Sequence, residues 1–324
     1  MKQFYSTATA LLISGLAAIT AQAYDKPSAA NVFADRLISQ IADGDKVTYF
    51  TYNDASQLTQ VTTKSPYYTS SATFTYESGV YKGESYDVKV EISDPGENIV
   101  CYITIGENGF AQKSREIETS VGEAADYETY TFEYNNDGHL IKIVEFGTIY
   151  NEVTNLIYDN GDILMALKEE GRDKDTYTVE YTSASVTRPI ENVGKLMNFD
   201  IFGFDNFEST YFYYAGLIGK STAHLPISVL EAEDGDIESY TYDWTLNSDG
   251  YPIQFKEYEG GKLDDTYAYS WIDMAAQLAI EIDGEPAQVT DYYDISGRRH
   301  AIPLRGLNIL RHADGSATKA ILND

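Results

Sequence analysis

The stretch "YTFEYNNDGHLIKIVEF" (residues 130–146) decides the fold class. Apolar and polar residues alternate on both sides of Asp137-Gly138. A period of two places alternate side chains on one face of a strand, and Asp-Gly tolerates the positive φ angles of a tight turn. The segment therefore reads as a β-hairpin. The same pattern returns in "VTYFTYNDASQLTQV" (47–61), around Asn160-Gly161 in residues 153–169 and around Asp249-Gly250 in residues 240–258. A weaker copy in residues 101–117 turns at Asn108-Gly109. The expected fold is all-β: an antiparallel meander of hairpins, as an open barrel or elongated sheet, with one or two short helices. The turns lie from 23 to nearly 90 residues apart, too irregular for a solenoid or propeller.

Two stretches depart from this pattern. In "SAANVFADRLISQIADG" (28–44), Phe33, Leu37 and Ile41 lie four apart behind Ser28 as a candidate N-cap. That spacing predicts a short amphipathic helix ended by Gly44. Residues 191–229 are dense in aromatics and glycine without alternation. They read as a helical or looped plug over an open edge or end of the sheet, with a ligand-pocket lining as the second reading.

The ends address the protein outward. Lys2, the apolar run 8–20 and "AQA" at 21–23 form a signal-peptide pattern with cleavage before Tyr24, so residues 1–23 are expected to be removed. The run is too short to anchor the chain across a membrane. Cys101, the single cysteine of 324 residues, sits in a strand-like apolar run and is expected to be a buried thiol. With 51 acidic and 23 basic residues and a pI near 4.3, the chain is a poor partner for nucleic acid or anionic membranes. Its 28 tyrosines suit pleated surfaces wet on one side, and a glycan or host protein is the candidate ligand for such strands.

The last segment, 292–324, differs from the body: five of its residues are basic and three acidic. It reads as a small, separate β tail.

The hairpins "FEYNNDGHLIKI" and "WTLNSDGYPIQF", with "YYAGLIGKSTAHLPISV" (213–229) between them, resemble an uncharacterised exported family of gut Gram-negative bacteria. The resemblance covers about residues 30–272 and implies a porin-like all-β meander of unknown function, with no catalytic residues to carry over. The tail, through "YYDISGRR", "PLRGLNIL" and "GSATKAIL", resembles the C-terminal sorting domain of the type IX secretion system. Asp294, Ser296, Gly297, Arg298 and Gly306 match that pattern, while Asn308 stands where the family usually carries tyrosine. This implies secretion machinery as a partner and passage through the periplasm to the outer surface or medium. The expected domains are 24–275, a β-meander, and 276–324, a sorting-type tail.

Catalytic signatures do not stand out. His139, His224, His300 and His312 are isolated in sequence, and no Gly-x-Ser-x-Gly elbow or phosphate-binding loop follows the leader. Paired carboxylates acting on a polysaccharide form the alternative, hydrolytic reading. Glu233, Asp234 and Asp236 in "EAEDGDIES" (231–239) are a candidate calcium turn. A membrane-spanning barrel is the architectural rival. The polar residues opposite the apolar positions argue instead against an integral membrane protein.

Overall fold

The computed structural model describes residues 27–33, 35–147, 151–203, 207–233, 236–273, 289–293, 298–300, 306–312 and 317–322. In chain order the body contains β1 (Arg36–Asp43), β2 (Lys46–Tyr52), β3 (Leu58–Lys64), β4 (Thr69–Thr75), β5 (Gly79–Tyr81), β6 (Glu84–Tyr86), β7 (Val88–Asp94), β8 (Glu97–Ile105), β9 (Ala111–Ser120) and β10 (Asp126–Tyr134). There follow β11 (Leu140–Phe146), β12 (Asn151–Asp159), β13 (Asp162–Glu170), β14 (Asp173–Glu180), β15 (Ile190–Glu191), α1 (Phe207–Tyr214), β16 (His224–Leu225), β17 (Ser228–Glu233), β18 (Asp236–Leu246), β19 (Pro252–Glu259) and β20 (Lys262–Asp273). Sixteen of these strands form one antiparallel sheet in the order β1-β2-β3-β4-β7 to β14-β17 to β20.

That sheet closes on itself. β1 pairs with β20 from Arg36↔Asp273 to Asp43↔Tyr267, so the meander is a closed barrel and not the expected open barrel or elongated sheet. Closure removes both edges and their unpaired backbone groups. It also explains the failed helix. Residues 29–31 form one 3-10 turn, N-capped by Ser28, and residues 36–43 form β1 instead. Phe33 and Leu37 are buried as the spacing required, but the backbone bonds of the last strand win the segment for the sheet. A short amphipathic helix gains little by itself against two flanking strands.

All five anticipated hairpins are present. Because strands alternate in direction, their turns all fall at one end of the barrel. The chain enters β1, leaves β20 and inserts residues 181–227 at this same end. Residues 217–223 cross it as a strap. Ala111 N donates to Leu217 O (2.7 Å), Lys220 N to Gly138 O (3.0 Å) and Ala223 N to Gly161 O (2.9 Å), so one segment ties three hairpin tips together. Lys220 Nζ also donates to Asp137 O at 2.6 Å. This is the sealed end.

The insertion then packs into the barrel. Tyr213, Phe199 and Phe202 are almost fully buried and share one apolar core with inward residues of the wall. Phe33 meets both Tyr213 and Tyr214, and Phe50 meets Tyr214 edge-on at 5.2 Å. Of the two expected places for a plug, an open edge or an end of the sheet, it takes the end, here that of a closed barrel. The contact leaves no spare room: Gly203 and Gly216 have φ +68° and +75°, and a Cβ would lie 2.0 Å from the Tyr177 ring and 2.4 Å from Ser28 O respectively. Asn192 fastens the base of the plug, donating from Nδ2 to Leu196 O (2.8 Å) and Thr222 O (3.1 Å) and accepting from Leu196 N (2.9 Å).

Outward-facing positions carry Thr51, Gln60, Thr73, Glu91, Asn98, Thr119, Glu133, Glu180 and Asp243, all exposed. Exposed apolar residues such as Ile157, Leu230 and Ile237 stand between them. No described helix is long and apolar enough to cross a membrane, which says nothing of a barrel. Cys101 is fully buried in β8, as expected. Beyond the barrel, β21 (Val289–Tyr293), β22 (Arg299–His300), β23 (Gly306–His312) and β24 (Ala317–Leu322) make a sheet of their own, ordered β22-β21-β23-β24. Among the described residues the tail thus has four strands.

Candidate functional site

The other end of the barrel is where polar chemistry collects. Its turns include short ones at 43–46, 94–97, 170–173 and 259–262. A cavity of about 420 Å³ opens here, with Met197, Asn198, Thr210 and Tyr211 of the plug as its floor. Its walls bring Asp43, Lys46, Thr48, Thr63, Ser70 and Asp94 together with the rings of Tyr68, Tyr267 and Tyr269.

The hydroxyls form a chain into the floor. Thr48 Oγ1 and Thr63 Oγ1 are 2.9 Å apart, and Thr63 Oγ1 is 3.3 Å from Tyr211 Oη. Lys46 Nζ lies 2.7 Å from Asp43 Oδ2, and this pairing outweighs burial to raise the Lys46 ammonium above its ordinary range. Asp94 Oδ1 is buried without a hydrogen-bond partner. An unsatisfied buried carboxylate oxygen costs stability, so its presence on a cavity wall marks a place where a ligand donor would be welcome.

Around the remainder of the open end, the inward face carries carboxylates at strand after strand. Cross-strand partners include Glu116↔Glu128, Glu145↔Glu152, Glu152↔Glu170, Asp175↔Glu233 and Glu231↔Glu238. Like charges directly opposite one another destabilise a sheet. Burial, then the neighbouring charges of Glu128 and Glu152, push the Glu145 carboxyl up to about 7. Glu118 is also raised, chiefly by its side-chain hydrogen bond to Glu97 and then by burial. Glu116 is buried and accepts from Ser114 Oγ at 2.8 Å, Tyr130 Oη donates to Glu128 at 2.8 Å, and Lys168 Nζ lies 3.2 Å from Glu152. This wall was not foreseen, though a signal existed: Glu128 has the parity of the apolar Tyr130 and Phe132, so the alternation itself aims it inward.

The anticipated calcium turn is less complete. Glu233 and Asp236 face each other at the β17–β18 turn, while Asp234 lies outside the described residues. No group of three or more His, Cys, Asp or Glu among the described residues is placed to hold a metal ion. In the tail, Asp294, Ser296 and Gly297 lie outside the described residues; Arg298 is exposed and Gly306 begins β23. His139 and His224 belong to the sealed end, where His224 Nδ1 is 2.7 Å from Asp162 Oδ2.

Residues 81–254 match the model of DUF4595, a domain of unknown function with porin-like fold. The chain belongs to this family. Among solved structures, a porin-like protein from Bacteroides uniformis shares the fold at TM-score 0.51 and 18% identity, over 74% of this chain and 98% of that one. A porin-like protein from Bacteroides vulgatus matches at TM-score 0.47 and 13% identity, over 72% and 98%. No curated protein matches. The DUF4595 membership bears out the porin-like all-β family expected from the hairpins, and the matched span covers the wall from β7 through most of the β18–β19 hairpin, plug included.

Proposed function

We propose that the protein is an exported binding protein that captures a glycan fragment in the open end of its plugged barrel. The observation that carries this reading is the cavity of about 420 Å³, with aromatic ring faces beside hydroxyls, an amide and carboxylates on a plug floor. Ring faces stack on the apolar faces of sugars, and the polar groups take their hydroxyls. The leader at 1–23 would deliver the chain to the periplasm, and the sorting-type tail would engage the secretion machinery that moves it outward. The barrel stands free of the bilayer in this reading, because a lipid-facing wall needs a continuous apolar band. The outward Gln60, Glu91, Glu133 and Glu180 argue against one.

The test is calorimetric titration of the purified protein with a panel of soluble oligosaccharides, beside Thr63→Val and Tyr211→Phe variants. Saturable binding weakened by both substitutions supports the reading. Binding by no member of the panel, or binding indifferent to both variants, refutes it.

One observation favours the hydrolytic alternative: Glu145, held near 7, directly opposes Glu152. A carboxyl raised by burial, opposite a second carboxylate, is the kind of pair glycosidic acid catalysis uses. Reducing-sugar release that disappears in Glu145→Gln would establish it; no release from any substrate would end it.

A further inference from the structure

A second, smaller cavity of about 180 Å³ lies along the open-end wall, lined by Tyr177, Tyr240, Tyr242, Glu231 and Glu257 above Ile201 and Val229. We infer that it is a binding site for an aliphatic oligoamine, whose ammonium groups would sit among these tyrosine rings and along the carboxylate wall. The inference stands apart from the glycan reading, since the two cavities share no lining residue.

Three independent features point to an ammonium ligand. The first is the combination of three aromatic rings and two carboxylates with no basic residue in the lining. Ring faces attract cations, and most strongly where water is excluded. Anionic ligands are repelled by the same lining.

The second is a pair of buried oxygens lacking a hydrogen-bond partner: Asp175 Oδ1 on the cavity's own strand β14, and Thr154 Oγ1 two strands away on β12. Thr154 is 1% exposed and faces the interior, with Lys168 directly across the strand pair. Lys168 in turn faces Asp175, and the next inward residue of that strand, Tyr177, faces Glu231. The orphaned oxygens therefore continue the wall that begins at the cavity. The Asp175 carboxylate oxygen accepts only and the Thr154 hydroxyl can accept, so an N–H donor would satisfy both.

The third is that the chain already seats one ammonium here. Lys168 reaches Glu152 at 3.2 Å with both side chains only 16% exposed. A ligand ammonium at Glu231 and Glu257 would repeat that arrangement further along the wall. The opposed Glu231↔Glu238 and Asp175↔Glu233 pairs repel each other, and a multivalent cation would relieve both. An elongated cation suits this layout better than a metal ion, because no three carboxylates among the described residues converge on one point.

Spermidine is the probe. It is titrated calorimetrically at low salt into the intact protein, the Glu231→Gln/Glu257→Gln double variant, Tyr240→Leu, and a control double variant of outward carboxylates, Glu133→Gln/Glu180→Gln. Removing repelling charges leaves the fold intact, which circular dichroism verifies. The expected result is one saturable site, weakened at least about tenfold by the inner double variant and by Tyr240→Leu but unchanged in the control. Equal weakening by inner and outer pairs would reduce the effect to general attraction by an acidic surface and overturn the inference, as would no saturable binding. The glycan reading fails separately, through Thr63→Val and Tyr211→Phe, which should leave spermidine binding untouched.

Discussion

Replacing Glu145 with glutamine should stabilise the protein at alkaline pH and barely affect it under mildly acidic conditions. Glu145 sits on the inner wall directly opposite Glu152 and across from Tyr130, whose hydroxyl also bonds Glu128. Burial and these two carboxylates raise its pKa from the ordinary 4.5 to about 7. Between those values the folded protein keeps a proton that the unfolded chain has lost, so the stability owed to this group is complete below 4.5 and falls as pH rises through 7. The full shift would correspond to about 3 kcal/mol; partial exposure and the nearby Lys168 reduce the expected penalty to about 1–2 kcal/mol above pH 8. Glutamine keeps the shape and carries no charge. Urea unfolding at about pH 5 and pH 8.5 should show a difference within about 0.5 kcal/mol at the lower value and a gain of about 1–2 kcal/mol at the higher. A variant equal to the parent at both pH values, or less stable at pH 8.5, would refute the placement of Glu145 in a repelling, half-buried wall.

Other consequences concern the sealed end and the tail. Tyr76→Phe and Tyr181→Phe each delete a buried hydroxyl bond to a strand-start carbonyl, Leu58 O at 3.0 Å and Ile163 O at 3.1 Å, and should each cost about 1 kcal/mol by chemical denaturation. Gly216→Ala, strained at φ +75° and set against Ser28 O, should cost more than about 2 kcal/mol. Gly96→Ala, equally left-handed but in open space at the other end, should cost only about 1 kcal/mol, and equal losses would contradict the asymmetry of the two ends. A chain stopped after Asp291 should stay in the periplasm of a host with type IX machinery while the full chain reaches the surface; the same location for both would show that the tail is not a sorting signal.

The parts of this architecture visible in the sequence are those built from local rules. Asn53, Asn135 and Asn247 open three of the hairpin turns, and each accepts two backbone N–H bonds, from the residues two and four further on. What made the hairpins legible was the alternation around the Asp-Gly and Asn-Gly turns; the asparagine bonds show how three of the sealed-end turns are held. The tyrosine excess also has a local cause. Near the sealed end, Tyr76, Tyr134, Tyr181, Trp244 and Trp271 each donate to a carbonyl 18 to 23 residues earlier, at or beside the start of the preceding strand. Five strand pairs, β3–β4, β9–β10, β13–β14, β17–β18 and β19–β20, thus carry an aromatic latch. Closure was not visible, because pairing β1 with β20 joins residues more than 220 apart and leaves no local trace. The same pairing overrode the four-residue spacing of Phe33, Leu37 and Ile41. The carboxylate wall was hidden differently: each Glu looks like an ordinary strand polar residue until the register shows which face it shares. Glu116 and Glu128 become a repelling pair only once β9 and β10 are aligned.

The central claim is that the open end, above the plug floor, is the binding site. Hydrogen exchange measured with and without a saturating oligosaccharide tests it most directly. The account predicts slower exchange in β1 to β4, β20 and the floor at residues 197–211, with the 217–223 strap and the hairpin tips it ties together unchanged. Protection confined to the strap and the sealed-end turns, or none anywhere in the barrel, would contradict it.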